Sequence, residues 1–340
     1  MRTRPAGPAD SRLVVALERG WGIEATSISY LPVGAGSHHW RVADRQDRTW
    51  FVTVDELRVR RADPGESCTE VFDRLNAALA TAHALAQAGA DYVVAPIAAR
   101  AGEVVVRLDD EWAMAVYPRV EGETFGGGQA RPVAERLEVV ELIARLHAAT
   151  LSERLPTRAD DYQLQNRADL EAAIVDPGHH IDVGPYSGAL ADRLAEDRPV
   201  IVDMLAEYDD LVTAARAYSD RRVLTHGEPH AGNTMRTSTG WMLVDWDTAL
   251  LAAPERDMWL LEPGDGLASA TYTDLTGIDV IAELLALFSL RWDLTDLGID
   301  VARLRGAHAN TADDARSWDG VLQVLGRRRA GDVVPPAAWR

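Results

Sequence analysis

The sequence predicts an α+β fold in two lobes, a small antiparallel-sheet lobe over residues 1–117 and a mainly helical lobe over residues 118–340. Three observations carry this reading. Segments rich in β-branched and aromatic residues cluster before residue 118, three consecutive glycines (Gly126, Gly127, Gly128) follow shortly after, and most of the remainder shows apolar residues at helical spacing. At 340 residues, 47% hydrophobic and 26% charged, the chain can bury one large core or two modest ones, which excludes disordered and fibrous architectures.

The elements follow in order. Residues 1–10, rich in Pro, Gly and Arg, predict a loose arm, after which Leu13, Val14, Leu17 and Trp21 mark one face of a short helix. Segments 27–33, 40–43 and 50–54 read as antiparallel strands, the last two flanking a turn at Asp44-Arg45-Gln46-Asp47. Val71, Leu75, Leu79, Ala82 and Ala86 give a helix over 69–88, which Gly89 is placed to end. Strands at 103–108 and 112–117 complete a five-stranded sheet.

Beyond Pro118 the stretch 121–128 reads as a linker with no stable element, and Pro132 opens a helix carrying Val133, Leu137, Val140 and Ile143 on one face. A pair of helices is expected around Pro199, because proline removes a donor from a helix interior. Met204, Tyr208, Leu211 and Ala215 then lead into a strand at 222–225, a hairpin turns at Ser238-Thr239-Gly240, and helices run from Pro254 to Gly326.

The formal charge of −18 makes the surface repel phosphate backbones and anionic lipid heads, so neither nucleic acid nor membrane is an expected partner. All 35 basic residues are arginine. The single cysteine, Cys68, fits a reducing compartment, and no apolar run approaches a membrane span, so the expected location is the cytoplasm. Nothing in the sequence speaks to oligomeric state.

The chemistry concentrates in two segments. Thr225-His226-Gly227-Glu228-Pro229-His230-Ala231-Gly232-Asn233 lies between two strands and places a carboxylate five residues before a carboxamide; Val244-Asp245-Trp246-Asp247 follows. An acid able to take a proton, an amide able to hold a metal and a strand ending in a metal-binding Asp are what phosphoryl transfer from Mg-ATP requires. Mg²⁺ needs only one or two protein oxygens beside phosphates and water, so Asn233 and Asp245 suffice. His226 and Asp257 are read as braces of the loop, and His147 as a satisfied core histidine.

These segments, with Pro254-Glu255-Arg256-Asp257 and the lobe order, resemble the aminoglycoside phosphotransferases of the eukaryotic-kinase-like group that includes choline kinases, nearest in character to the spectinomycin phosphotransferases. The resemblance spans roughly residues 25–330. It implies a protein-kinase-like fold whose small lobe covers the nucleotide and whose helical lobe holds the acceptor, with the cleft near 117–120. It further implies Gly34, Gly36, Ser37, Thr53 and Tyr117 on the nucleotide side, Asn233 and Asp245 as metal ligands, and Glu228 at the catalytic base position. Glu228, His230, Trp246, Asp247 and Trp292 are the expected ligand-side residues.

The family pattern is broken at two charge-handling positions. Thr53 stands where the third strand carries a phosphate-gripping lysine, and with no lysine anywhere only an arginine such as Arg41, Arg48 or Arg58 can substitute; the helix acid expected to orient it is Glu70. Glu228 replaces an Asp, adding one methylene. Two functions are read from the sequence, the first as the leading one and the second as its alternative. One is an antibiotic-resistance protein that captures a cationic or aromatic small molecule in its cleft with phosphotransfer weak or lost, needing no cofactor. The other is an active phosphotransferase that uses Mg²⁺ and ATP to modify a hydroxyl of an antibiotic or other small molecule.

Several residues carry two readings. His38 and His39, beside the Gly34–Gly36 turn, are expected to be solvent-exposed, at least one of them. Asp160, Asp161, Asp274, Asp279, Asp293 and Asp296 are either an attracting field for a cationic drug or simply solvated surface. Trp246, Trp259, Trp292 and Trp318 either stack on a planar ligand or pack the core.

Overall fold

The structure is a computed structural model that describes residues 2–124, 131–149, 157–179 and 182–330. Helix α1 (Asp10–Trp21) buries Leu13 and Leu17 and ends at Gly22, whose φ of 69° terminates it in the left-handed conformation. Strands β1 (Ala25–Leu31), β2 (His38–Asp44) and β3 (Thr49–Glu56) follow, then α2 (Cys68–Gln87), β4 (Val106–Arg107) and β5 (Trp112–Pro118). All neighbours pair antiparallel in the order β1-β2-β3-β5-β4, the five strands the periodicity predicts.

Strand alternation divides this sheet by face. Trp40, Val42, Val52, Val54, Met114 and Val116 are all fully buried and form one apolar cluster with Leu13 and Leu17 of α1. The opposite face carries Phe51, Thr53 and Asp55 on β3 and Ala113, Ala115 and Tyr117 on β5. The apolar members of this face join a second core that includes α2 and continues into the helical lobe.

That lobe holds β6 (Glu123–Thr124), α3 (Val133–His147), α4 (Arg167–Val175), α5 (Ser187–Ala215), β7 (Val223–Thr225), β8 (Thr234–Thr237), β9 (Gly240–Leu243), β10 (Leu250–Ala252), α6 (Glu255–Met258), α7 (Leu267–Thr276), α8 (Ala282–Arg305) and α9 (Ala312–Ala330). β7 pairs with β10, and β8 lies between β6 and β9. The segment after α2 hooks onto β9, with the Val94 amide donating to Leu243 O at 3.0 Å and the Leu243 amide to Tyr92 O at 2.7 Å. A third core joins α4, α5, α8 and α9.

Three expectations are corrected here. The arm is tied down: the amides of Arg2 and Thr3 donate to the Asp313 carboxylate at 2.9 and 2.8 Å, and the Tyr30 hydroxyl donates to Thr3 O at 3.0 Å. Part of the expected linker is structured, since Glu123–Thr124 pairs with Arg236 and Met235 of β8; the three glycines lie outside the described residues. The region around Pro199 is one helix rather than two. An interior proline costs roughly 3 kcal/mol, but Leu190, Leu194, Ile201, Met204 and Tyr208 bury one continuous face, and burial of about 1.5–3 kcal/mol per large apolar side chain outweighs the missing bond.

Candidate functional site

β7 delivers the chain to a loop, residues 226–233, that returns it to β8. Asp257 holds this loop from beneath, its carboxylate accepting the His226 amide at 2.9 Å and the Gly227 amide at 2.6 Å. His147 Nε2 meets the same carboxylate at 3.1 Å, and His147 Nδ1 lies 2.8 Å from the Tyr272 hydroxyl. Burial alone would raise the Asp257 pKa, but the His147 hydrogen bond and the nearby His147, His226 and Arg256 outweigh it and hold the carboxyl below its ordinary value. Gly227 has φ 100°, and a side chain there would overlap the Arg256 guanidinium. That guanidinium donates to Thr225 Oγ1 and to Thr248 O, both at 2.8 Å. The Pro254–Asp257 motif is therefore a double brace, with Asp257 under one chemistry-bearing segment and Arg256 joining it to the other.

His226 completes the link. Its Nε2 donates to Val244 O at 2.9 Å, which leaves Nδ1 to accept the Glu228 amide at 3.3 Å. Asn233 Nδ2 donates to Glu228 O at 3.1 Å, so the Glu228 backbone is fixed from both sides. With its nitrogen so used, Asn233 keeps its carboxamide oxygen as a hard donor inside a nearly closed site.

Asp245 follows β9 with φ 65°, a left-handed conformation that costs a non-glycine residue about 1–3 kcal/mol. The surrounding protein, then Asp247 and Glu228, push its carboxyl well above the ordinary value. Burial, Asp247 and Asp296 push Glu228 up to about 8. This crowd of like charges is costly without a cation. The oxygens of Asn233 and Asp245 fit Mg²⁺, which takes its other ligands from phosphates and water. Among the described residues no group of three or more His, Cys, Asp or Glu side chains is placed to hold a metal, so a closed all-protein cage such as structural zinc uses is not the pattern here.

On the sheet side, Gly34 and Gly36 take φ 69° and 80° in the turn between β1 and β2. The turn delivers Ser37, whose hydroxyl donates to Asp55 Oδ1 at 2.7 Å. Thr53 carries no charge into the cleft and is engaged by the Tyr117 hydroxyl, whose pKa is pushed far up by burial and by Asp245, Asp55 and Asp247. None of the arginines expected to replace a lysine at Thr53 is there. Arg41 is exposed, Arg48 pairs with Asp44 at 2.8 Å at the hairpin end, and Arg58 pairs with Glu111. The cation in the cleft is Arg60, which sequence reading missed because it lies in the loop after β3, off the strand register. Its Nε is 2.7 Å from Asp55, and its Nη2 is 2.7 Å from both Ser37 Oγ and Asp247 Oδ2. The one usable hint was Asp55, an acid two residues beyond Thr53 on the same face.

Glu70 does not orient a cation either. It forms a capping box with Ser67 at the start of α2, accepting the Ser67 amide at 2.8 Å. The histidine expectation is also overturned: His38 and His39 are 4% and 8% exposed, with His39 stacked on Phe51 at 5.0 Å. The β2 alternation turns one into each face of the sheet.

Of the residues expected on the ligand side, His230 and Trp292 meet edge to face at 6.1 Å, and Trp259 lies 5.6 Å from Trp292. Asp296 of α8 stands near Glu228 and beside Trp292, its pKa raised to about 6 by burial and Asp293. Trp246 is corrected: it is fully buried, its indole donating to Leu243 O at 3.0 Å and its ring edge-on to His226 at 4.8 Å, so it offers no face to a ligand. Asp160 and Asp293 leave the attracting field as well, since Asp160 pairs with Arg291 at 2.6 Å and Asp293 with Arg327 at 2.8 Å and Arg328 at 3.0 Å.

A sheet lobe over a helical lobe, with a braced acid-amide loop facing a strained Asp turn, defines a kinase-like small-molecule phosphotransferase fold. The model of the phosphotransferase enzyme family matches residues 40–286, well over half of the chain, and the chain belongs to that family. Protein StrN of Streptomyces griseus is 31% identical over 250 residues, covering 71% of this chain and 74% of StrN. Among solved structures, spectinomycin phosphotransferase APH(9)-Ia in complex with ADP and spectinomycin superposes with TM-score 0.69 at 16% identity, over 96% of this chain and 99% of its own. Amicoumacin kinase hAmiN, in complex with AMP-PNP, Ca²⁺ and its ligand, gives 0.60 at 12% identity over 98% and 96%. At these identities the structural likenesses speak for the fold. No described helix is long and apolar enough to cross a membrane.

Proposed function

We propose that the protein transfers the γ-phosphoryl group of ATP to a hydroxyl of a small antibiotic-like molecule. The observation that carries this reading is the joint presentation of Glu228, Asn233 and Asp245 on two segments locked together through His226, Arg256 and Asp257. Catalysis of phosphoryl transfer is mostly positioning and charge neutralisation, and both need a rigid frame of this kind. Asn233 and Asp245 would hold Mg²⁺, which neutralises charge on the phosphates when bound. Glu228 takes the proton of the acceptor hydroxyl as its oxygen bonds to the γ-phosphorus and the bond to the β-phosphate oxygen breaks, releasing ADP.

Asp296, beside Trp292 and close to Glu228, supports an acceptor that carries a cationic group. The test is acceptor-dependent ADP release over a panel of aminoglycosides, spectinomycin and amino alcohols, abolished by Asp245→Asn.

A second reading is favoured by Thr53: a protein that captures the drug with phosphotransfer weak or lost. Its support is the uncharged third-strand position and the aromatic group around Trp292. Saturable tryptophan quenching by a drug in nucleotide-free buffer, without ADP release in the first assay, would select it.

A further inference from the structure

The cation in the cleft reaches it by a route that the family pattern does not prepare. Arg60 lies in the loop between β3 and α2, and its side chain is 18% exposed. Three groups hold it: Asp55 on β3, Ser37 from the glycine turn, and Asp247 from the helical lobe, each at 2.7 Å. These contacts use Nε and Nη2. Nε meets Asp55 as an ion pair without hydrogen-bond geometry, both hydrogen bonds are made by Nη2, and Nη1 has no hydrogen-bond partner among the described residues, which leaves Nη1 to a ligand.

The loop is built to hold that position. Leu57 is fully buried, the Arg60 carbonyl accepts from Arg74 Nη2 at 2.5 Å, Arg74 pairs with Glu66, and Glu66 accepts the Ala62 amide at 2.6 Å. On the helical side the Asn166 amide donates to Ala62 O at 3.0 Å. A cation fixed in advance loses little entropy when it grips an anion.

The positive turn of Gly36 lies against it, since a Cβ there would approach Arg60 Nη2 at 3.4 Å. The guanidinium therefore sits between the glycine turn and the Asp245–Asp247 turn, the two elements that flank a nucleotide's phosphates in a kinase-like cleft.

We propose that Arg60 is the phosphate clamp of this protein, a guanidinium delivered by the β3–α2 loop that grips the phosphates of ATP beyond the α position, with Asp55 as its positioning partner. The inference rests on the phosphotransferase reading. The usual pairing of a strand lysine with a helix glutamate is here exchanged for a loop arginine paired with a strand aspartate. Thr53 and the capping role of Glu70 are then consequences of the exchange. The guanidinium can offer Nη1 to a phosphate oxygen while Nη2 and Nε keep Ser37, Asp247 and Asp55, a division of contacts that a single ammonium could not make.

The experiment uses the full chain with Mg²⁺ and measures displacement of a fluorescent ATP analogue by ATP, ADP and AMP. Arg60→Gln weakens ATP and ADP by about 10- to 100-fold, the range of charge-assisted hydrogen bonds, and changes AMP by no more than about 2-fold. Arg60→Lys keeps the charge but not the fork and loses roughly 3- to 10-fold of the ATP-over-AMP preference. Asp55→Asn lowers the same preference, a readout that a purely structural contact would leave unchanged even where the melting temperature falls. Equal weakening of ATP and AMP in Arg60→Gln, or no change in either, would overturn the clamp while leaving the phosphotransferase reading intact. A wild-type protein that binds no ATP would remove both.

Discussion

The Arg60 guanidinium and the Asp247 carboxylate meet at 2.7 Å across the cleft, joining the loop after β3 to the turn that carries Asp245. Both side chains are mostly buried, at 18% and 16% exposure, which sets the pair apart from surface bridges worth 0 to about 1 kcal/mol. A double-mutant cycle of Arg60→Ala and Asp247→Ala, read from urea unfolding, should give a coupling of about 1–3 kcal/mol. The coupling should persist at roughly 0.5 M salt, because screening acts mainly on exposed charges. A coupling below about 0.5 kcal/mol would mean that the two lobes are not joined here.

The brace under the 226–233 loop leads to a stability prediction. Asp257→Asn keeps one acceptor oxygen for the amides of His226 and Gly227 but sets an NH₂ group against the other donor, in a position with no exposure. The expected loss is about 3–5 kcal/mol of unfolding free energy, together with a drop in turnover, since Glu228 is placed by the same loop. A variant within about 1 kcal/mol of wild type would contradict the role given to Asp257.

Asp245→Asn should separate stability from activity. The carboxylate's pKa is pushed up by its protein surroundings, Asp247 and Glu228, so its ionised form is a cost to the folded state near neutral pH. Removing the charge should therefore leave the thermal midpoint equal to or above that of wild type while Mg-dependent turnover disappears. A lower midpoint would show that the acid cluster is a structural network and not a site under electrostatic strain.

His39 supplies a pH prediction. Burial holds its pKa down to about 3, with His38 and Arg60 adding to the depression and Asp247 opposing it. The unfolded chain takes up a proton near the ordinary value of about 6.5, and the folded chain does not. His39 thus contributes its full stability above about pH 6.5 and loses it as the pH falls toward 3, at a limiting slope of about 1.4 kcal/mol per pH unit. His39→Gln should reduce the difference between urea midpoints measured at about pH 7 and pH 5. An unchanged difference would place the acid sensitivity elsewhere.

The lobes were legible because their periodicities differ: alternation over β2, β3 and β5, helical spacing over α2, α3, α8 and α9. Pro199 misled, since a local cost is readable in sequence whereas the tertiary burial that offsets it along α5 is not. Glu228 and Asn233 stood out as candidates because they lie five residues apart on one continuous segment. Arg60 was not, because its position depends on where a loop folds back, and neither composition nor register encodes that. Trp246 shows the converse: its place in the motif suggested a ligand contact, and packing against His226 took it into the core.

Phosphoryl transfer in this cleft, with Glu228 taking the acceptor proton, is read out by ADP release with saturating Mg-ATP in the presence and absence of acceptor. Release should depend on the acceptor, fall about 100-fold or more in Glu228→Gln, and be partly retained in Glu228→Asp. Saturable drug binding with no acceptor-dependent ADP release in the wild type, or release unaffected by Glu228→Gln, would contradict it.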